Sequence, residues 1–225
     1  MSGVALVSGA SRGIGRAVAE TLAAEGWQVS AGLRNPASAP PGLHAARYEA
    51  RDAGSAASWV AEAVRAFGRV DAVVACAGQL LPGTAHGDDE AALEDMLEVN
   101  LKGPLRLARA AWPHLVASGR GRIVTLASLS GKRVANEHAA YAISKFALVG
   151  ATHALRREGW DAGIRATAIC PSFVATEMAA LLGGPPPEAM TQPRDLARLV
   201  ATLLRLPPTA SVAELTVQCR FEAQY

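Results

Sequence analysis

The chain has 225 residues, half of them hydrophobic, with 22 basic and 20 acidic groups and a formal net charge of +2. That length is the range of one α/β domain, and the basic residues lie scattered with no run longer than Arg156-Arg157, which argues against nucleic acid as a partner. The longest apolar stretches are too short to span a bilayer, so a membrane is not expected as a partner either. The chain enters a strand-like segment at once, with no targeting sequence, which predicts a cytoplasmic protein. Cys76, Cys170 and Cys219 are far apart and odd in number, as suits small buried side chains in a reducing compartment, and the five histidines form no HxxxH or HxH pair, so no metal site is expected.

In chain order, residues 4–7 read as a first strand, followed by a glycine-rich turn and a helix over 14–25. Residues 27–33 form a second strand and 43–48 a short third; 55–67 have helical periodicity, and 70–75 are a strongly apolar fourth strand. Residues 88–118 are helical with an interruption at Gly103-Pro104. Then come a fifth strand over 122–127, a long helix over 139–158, a sixth strand over 164–170, a helix over 193–206 and a last strand over 212–217. Strands separated by helices, without hairpin signals, mean βαβ units with right-handed crossovers. The expected fold is therefore α/β: a Rossmann-type, doubly wound parallel sheet of about seven strands with helices on both faces. Residues 1–225 read as a single dinucleotide-binding and catalytic domain, with no composition shift or internal repeat.

Directly after the first strand stands Ser8-Gly9-Ala10-Ser11-Arg12-Gly13-Ile14-Gly15. Glycines in such a turn let the backbone bend sharply and approach a pyrophosphate, while the helix N-terminus offers free N–H groups and partial positive charge. The spacing is GxxxGxG, and with it the segment resembles the short-chain dehydrogenase/reductase family, whose turn is usually T-G-x-x-x-G-x-G; Ser8 stands in place of Thr. Gly9, Ser11, Arg12, Gly13, Ile14 and Gly15 are thus expected to bind the cofactor.

The second strand should deliver the residue that reads the adenosine ribose. No acidic residue occurs between Glu25 and Glu49 to take a 2′-hydroxyl, whereas Arg34 follows the strand and Arg12 lies on the adjacent turn. Two guanidiniums suit a 2′-phosphate, which predicts NADP(H). Asp52 resembles the family's adenine-contacting Asp, with a helix N-cap as the alternative reading.

Tyr141 and Lys145, four apart in a helical segment, share one helix face. A phenol titrates near 10 and is a poor base at neutral pH, but a neighbouring ammonium and an oxidised nicotinamide favour the phenolate, making it a proton donor or acceptor toward a substrate oxygen. Ser128 follows the fifth strand, thirteen positions before Tyr141, where its hydroxyl can meet the same oxygen. Ser128 with Tyr141-x-x-x-Lys145 matches the family's catalytic set, and Asn100 completes it by resemblance. Pro104 brings no N–H to the Asn100 carbonyl, so a kink there would free that carbonyl for a proton relay through water to Lys145.

The resemblance spans nearly the whole chain. Ala75-Cys76-Ala77-Gly78 sits where the family has N-N/A-A-G, which puts Ala77 and Gly78 beside the cofactor. Pro171-Ser172-Phe173-Val174-Ala175-Thr176 resembles P-G-x-V-x-T, which assigns Pro171, Val174 and Thr176 to the nicotinamide end, with Ser172 in place of glycine. The end of the chain departs more: Thr216-Val217-Gln218-Cys219-Arg220 replaces the usual glycine-containing segment. The resemblance implies hydride transfer between NADP(H) and a small carbonyl or alcohol substrate, most simply reduction of a ketone or aldehyde. It also implies a homodimer or homotetramer joined through helices at about 105–118 and 139–158. A non-catalytic NADP(H)-sensing regulator on the same fold is the alternative. A sugar-nucleotide epimerase shares YxxxK but needs a further substrate domain. A lid over 177–193 brings Met178, Leu181, Leu182 and Met190, while no arginine cluster stands out for an anionic substrate.

Overall fold

In chain order the elements are β1 (Val4–Ser8), α1 (Gly13–Ala24), β2 (Gln28–Leu33), β3 (His44–Arg47), α2 (Ser55–Phe67), β4 (Ala72–Ala75), α3 (Glu90–Leu97), a π-turn (Glu98–Lys102), α4 (Gly103–Ala117), β5 (Arg122–Leu126), a 3-10 turn (Leu129–Gly131), α5 (Ala139–Glu158), β6 (Arg165–Pro171), α6 (Glu177–Ala180), α7 (Pro193–Arg205) and β7 (Glu214–Val217). They come from a computed structural model that describes residues 3–87, 90–135, 137–180 and 183–221. All seven strands run parallel in the order β3-β2-β1-β4-β5-β6-β7. The order reverses between β1 and β4, and the carboxyl ends of strands beside such a switch point form the crevice where this architecture holds ligands.

Each residue of β1 is buried, which is why its sequence shows an unbroken apolar run rather than alternation. Ala5 and Val7 join a core with Val18 and Leu22 of α1 and Leu196 and Val200 of α7. Leu6 joins the opposite core with Trp59 of α2 and Leu107 and Leu115 of α4. Alternate side chains of one strand thus serve two helical layers. With aromatics scarce, Ala, Val, Leu and Ile fill most of both cores, and Trp59 is the largest fully buried side chain.

The interruption expected at Gly103-Pro104 takes a different form. The N–H of Gly103 reaches back five residues to the carbonyl of Glu98, and a helix resumes at once. Pro104 falls in the first turn of α4, where a missing N–H leaves nothing unpaired within the helix. The predicted start of this helical stretch, at Asp88, lies outside the described residues.

The β1–α1 turn sets where a phosphate can lie. Gly9 has φ +67°, the left-handed region that glycine adopts without strain. Gly15 packs so closely on that turn that a Cβ would stand 2.3 Å from the Gly9 carbonyl oxygen. Gly15→Ala must push α1 off the turn; the expected loss is about 3 kcal/mol of unfolding free energy, read by urea denaturation.

Candidate active site

Lys145 organises the site. Its Nζ donates 2.8 Å to the carbonyl of Leu126, the last residue of β5, and both Lys145 and Tyr141 are buried on α5. This bond ties one face of α5 to the carboxyl end of the sheet. Tyr141, one turn earlier, then reaches Ser128, whose side chain hydrogen-bonds the phenol. Ser128 Oγ also accepts from the N–H of Ser130 at 3.0 Å, capping the 3-10 turn that leaves β5. A Cβ on Gly131 would stand 2.7 Å from the Lys145 carbonyl, so only glycine lets that turn lie flat on α5.

Asn100 sits fully buried in the π-turn. Its Oδ1 accepts from the N–H of Gln79 at 2.8 Å, and its Nδ2 donates to the Gln79 carbonyl at 2.9 Å and to Ser144 Oγ at 3.0 Å. Ser144 Oγ in turn donates to the Tyr141 carbonyl at 2.7 Å. The amide therefore clamps the loop after β4 to the turn of α5 that carries Tyr141, and any proton relay falls to its main-chain carbonyl. Ser8 holds the same loop from the other side, its Oγ accepting from the N–H groups of Cys76 and Ala77 at 3.1 Å each.

Several of these residues line a cleft of about 410 Å3 at the carboxyl edge of the sheet. Ile14, Gly78, Ser128, Tyr141 and Lys145 lie along it, together with Pro171, Val174 and Thr176 from the segment after β6. Thr176 Oγ1 donates to the Val174 carbonyl at 3.2 Å. Gly9, Ser11, Arg12, Gly13 and Gly15 continue the edge as the β1–α1 turn, Ala77 follows β4, Arg34 follows β2, and Asp52 follows β3. The N-terminus of α1 has no capping side chain and no acidic residue in its first turn, so its N–H groups are left for an external anion. A dinucleotide's pyrophosphate fits that turn.

Two expectations are corrected. Burial pushes the Tyr141 phenol up to about 12, against a smaller downward pull from the Ser128 hydrogen bond; it is not lowered by Lys145 in the chain alone. Burial also pulls the Lys145 ammonium down to about 8, partly offset by the nearby Cys170 and Cys76. Desolvation is the larger effect at both groups. Asp52 is not the N-cap of α2: Gly54 holds that position, and the Asp52 carboxylate accepts from the Gly54 N–H at 2.8 Å. Arg12 forms an exposed ion pair with Glu177 of α6, whereas Arg34 is exposed and carries no ion pair among the described residues. Of the expected lid residues, Met178 lines the cleft, Met190 does not, and Leu181 and Leu182 lie outside the described residues.

Arg133, Phe173 and Arg220 also line the cleft, and none was expected there. Arg133 follows the 3-10 turn by two residues, and Arg220 lies beyond β7 with its guanidinium 5.6 Å from the centre of the Phe173 ring. Arg220 had one legible signal, its place just past the carboxyl end of a strand.

A profile of the short chain dehydrogenase family matches residues 3–184. The chain belongs to this family. It therefore stands among oxidoreductases that use a nicotinamide dinucleotide. Agropine synthesis reductase of Rhizobium rhizogenes is 40% identical over 99% of this chain and 54% of its own length, so the chain spans about half of that relative. Among solved structures, an alcohol dehydrogenase from the archaeon Thermococcus sibiricus, complexed with 5-hydroxy-NADP, superposes with a TM-score of 0.86 at 27% identity, covering 96% of both chains. A variant of actinorhodin polyketide ketoreductase with NADPH gives 0.86 at 29% identity, over 96% of this chain and 95% of that one.

Keeping Lys145 charged in its buried position at neutral pH costs on the order of 3 kcal/mol. Below about pH 8 the folded chain bears this cost in full; between there and 10.5 the unfolded chain still holds the proton that the folded chain has shed, so this site makes stability rise with pH. Lys145→Met is expected to stabilise the fold by about 2 kcal/mol at neutral pH, the gain shrinking toward zero as pH approaches the unfolded value. Urea titrations across that range read both the sign and the window.

Proposed function

We propose that this chain is an NADPH-dependent reductase of ketones or aldehydes, with Ser128, Tyr141 and Lys145 as its catalytic residues. The observation that carries this reading is the placement of the buried Tyr141 phenol beside the Ser128 side chain that hydrogen-bonds it, one helical turn from the Lys145 ammonium, in a cleft that also holds Ile14 and Thr176. The bound dinucleotide supplies hydride to the carbonyl carbon. Ser128 donates a hydrogen bond to the carbonyl oxygen, Tyr141 transfers its proton to the oxyanion as it forms, and Lys145 holds the phenolate that remains. Burial keeps Tyr141 protonated far above neutral pH, and the protonated form is the one that reduction needs. Asn100 serves through its main-chain carbonyl, as a step in the path that returns a proton to Lys145. Gly9, Ser11, Gly13 and Gly15 hold the pyrophosphate, Ala77 and Gly78 border it, and Pro171, Val174 and Thr176 hold the nicotinamide end; Asp52 faces the adenine.

NADPH rather than NADH rests on Arg34, with Arg12 as a second contact once it leaves Glu177. The alcohol dehydrogenase complexed with 5-hydroxy-NADP and the ketoreductase with NADPH support the same reading. Residues 1–225 are proposed to act as one catalytic unit, in the cytoplasm; all three cysteines are free, and no helix among the described residues is long and apolar enough to cross a membrane. A homodimer or homotetramer is proposed through α4 and α5, whose groove is lined by Leu105, Trp112, Pro113, Ala151 and Ala154, with Phe146 half exposed on the same helix pair.

Consumption of NADPH and NADH against a panel of carbonyl compounds tests the reading. Tyr141→Phe is expected to lower kcat by about a thousandfold while NADPH binding changes only a few-fold. Arg34→Ala should raise the KM for NADPH by about tenfold and leave that for NADH nearly unchanged. Tight NADPH binding with no turnover of any carbonyl would favour the sensor instead.

A further inference from the structure

Gln79, the residue after Gly78 in the loop that follows β4, is bonded to two different parts of the site. Its main chain pairs with the Asn100 amide, at both the N–H and the carbonyl. Its side chain pairs elsewhere: Gln79 Oε1 accepts from an Arg51 guanidinium N–H at 2.7 Å, and Gln79 Nε2 donates to Asp95 Oδ2 at 2.7 Å. Arg51 closes the triangle by gripping the Asp95 carboxylate with two N–H groups, at 2.5 and 2.7 Å. Arg51 stands immediately before Asp52, in the loop proposed to face the adenine, and Asp95 belongs to α3. We propose that Gln79 is a positioning residue that couples the adenosine half of the cofactor to the proton donor. Occupation of the adenine pocket sets the loop that holds Arg51, and Gln79 carries that setting through Asn100 and Ser144 to the helix turn of Tyr141.

The path is continuous in hydrogen bonds. From Arg51 it runs to the Gln79 side chain, from the Gln79 main chain to the Asn100 amide, from Asn100 Nδ2 to Ser144 Oγ, and from Ser144 to the Tyr141 carbonyl. A second grip keeps the adenine-side loop in register with the π-turn that carries Asn100. Arg106 of α4 donates 3.0 Å to the Ala50 carbonyl and 2.8 Å to Glu98 Oε2, and Glu98 Oε1 accepts from Lys102 Nζ at 2.7 Å. Gly103 lets the loop lie against that turn, since a Cβ there would stand 2.8 Å from Ala50 Cβ. A single exposed ion pair contributes little to stability. The Arg51–Asp95 pair is bidentate and braced by Gln79, an arrangement that fixes a direction rather than adding much strength. The two ends of the path belong to the two halves of one dinucleotide site, so binding energy collected at the adenosine is available where the hydride moves. The chemistry of Ser128, Tyr141 and Lys145 does not itself need Gln79 or Arg51, so the coupling is readable apart from the reaction.

This inference rests on the reductase reading, and the test separates the two. The kcat for a carbonyl substrate is measured with NADPH and with reduced nicotinamide mononucleotide, which lacks the adenosine half. In the wild-type chain NADPH is expected to give a kcat at least about tenfold higher. Gln79→Leu and Arg51→Met should each cut the NADPH kcat about fivefold and leave the mononucleotide kcat unchanged, and the double variant should be no worse than either. Equal kcat with the two cofactors in the wild type overturns the proposal, as does an NADPH kcat that survives both substitutions. An equal fall with both cofactors, or additive losses in the double variant, also overturns it. Hydrogen exchange gives a readout free of turnover: 2′,5′-ADP should slow the amides of residues 141–145 at least about threefold in the wild type. In Gln79→Leu only the amides near Asp52 should slow. Protection of residues 141–145 that is absent from the wild type, or persists in Gln79→Leu, overturns the coupling. If no carbonyl compound is reduced while the expected protection is seen, the reductase reading fails and the coupling stands. If 2′,5′-ADP does not bind, the coupling is overturned, and turnover with NADPH leaves the reductase reading intact.

Discussion

Lys145 carries its charge where burial opposes it, and most of the site is arranged around that fact. Its bond to the Leu126 carbonyl joins α5 to the end of β5. The register of that contact decides where Tyr141 lies, one turn earlier, and the 3-10 turn after β5 then brings Ser128 to the phenol. Gly131 lets that turn rest on the α5 backbone, and Asn100, through Ser144, holds the same helix from the opposite side. A surface lysine would specify none of this, because a solvated ammonium has no need of a fixed partner. The stability given up to bury it is the kind of local strain expected at a functional site.

The fold was legible because its signals are periodic and local. Buried parallel strands show as short apolar runs, and helices such as α2 and α5 begin and end where the sequence predicts them. The glycine turn and the Tyr141–Lys145 pair were legible for the same reason, since each is defined by spacing within a few residues. The helix break near Pro104 was legible as an event but not as a shape: a proline announces a lost hydrogen bond, while the register chosen to absorb it depends on what the π-turn packs against. The direction of the Tyr141 shift was not legible at all. Spacing shows that an ammonium is near, but burial, the larger effect, belongs to the whole fold.

The role of Asn100 divides along the same line. Resemblance marks the residue, yet its side chain is spent on Gln79 and Ser144. It braces the loop after β4 against α5, and both structures flank the cleft. A residue assigned to proton transfer is thus also a strut, and loss of activity on replacing it would not separate the two duties.

Arg133 and Arg220 escaped the sequence because nothing joins them along the chain: eighty-seven positions separate them, and neither lies in a motif. What joins them is the parallel sheet. Every strand delivers its following loop to the same edge, so β5 and β7 bring distant segments to one cleft. Ser172 and Cys219 read singly as departures from a pattern, and only in the fold do they prove to be partners.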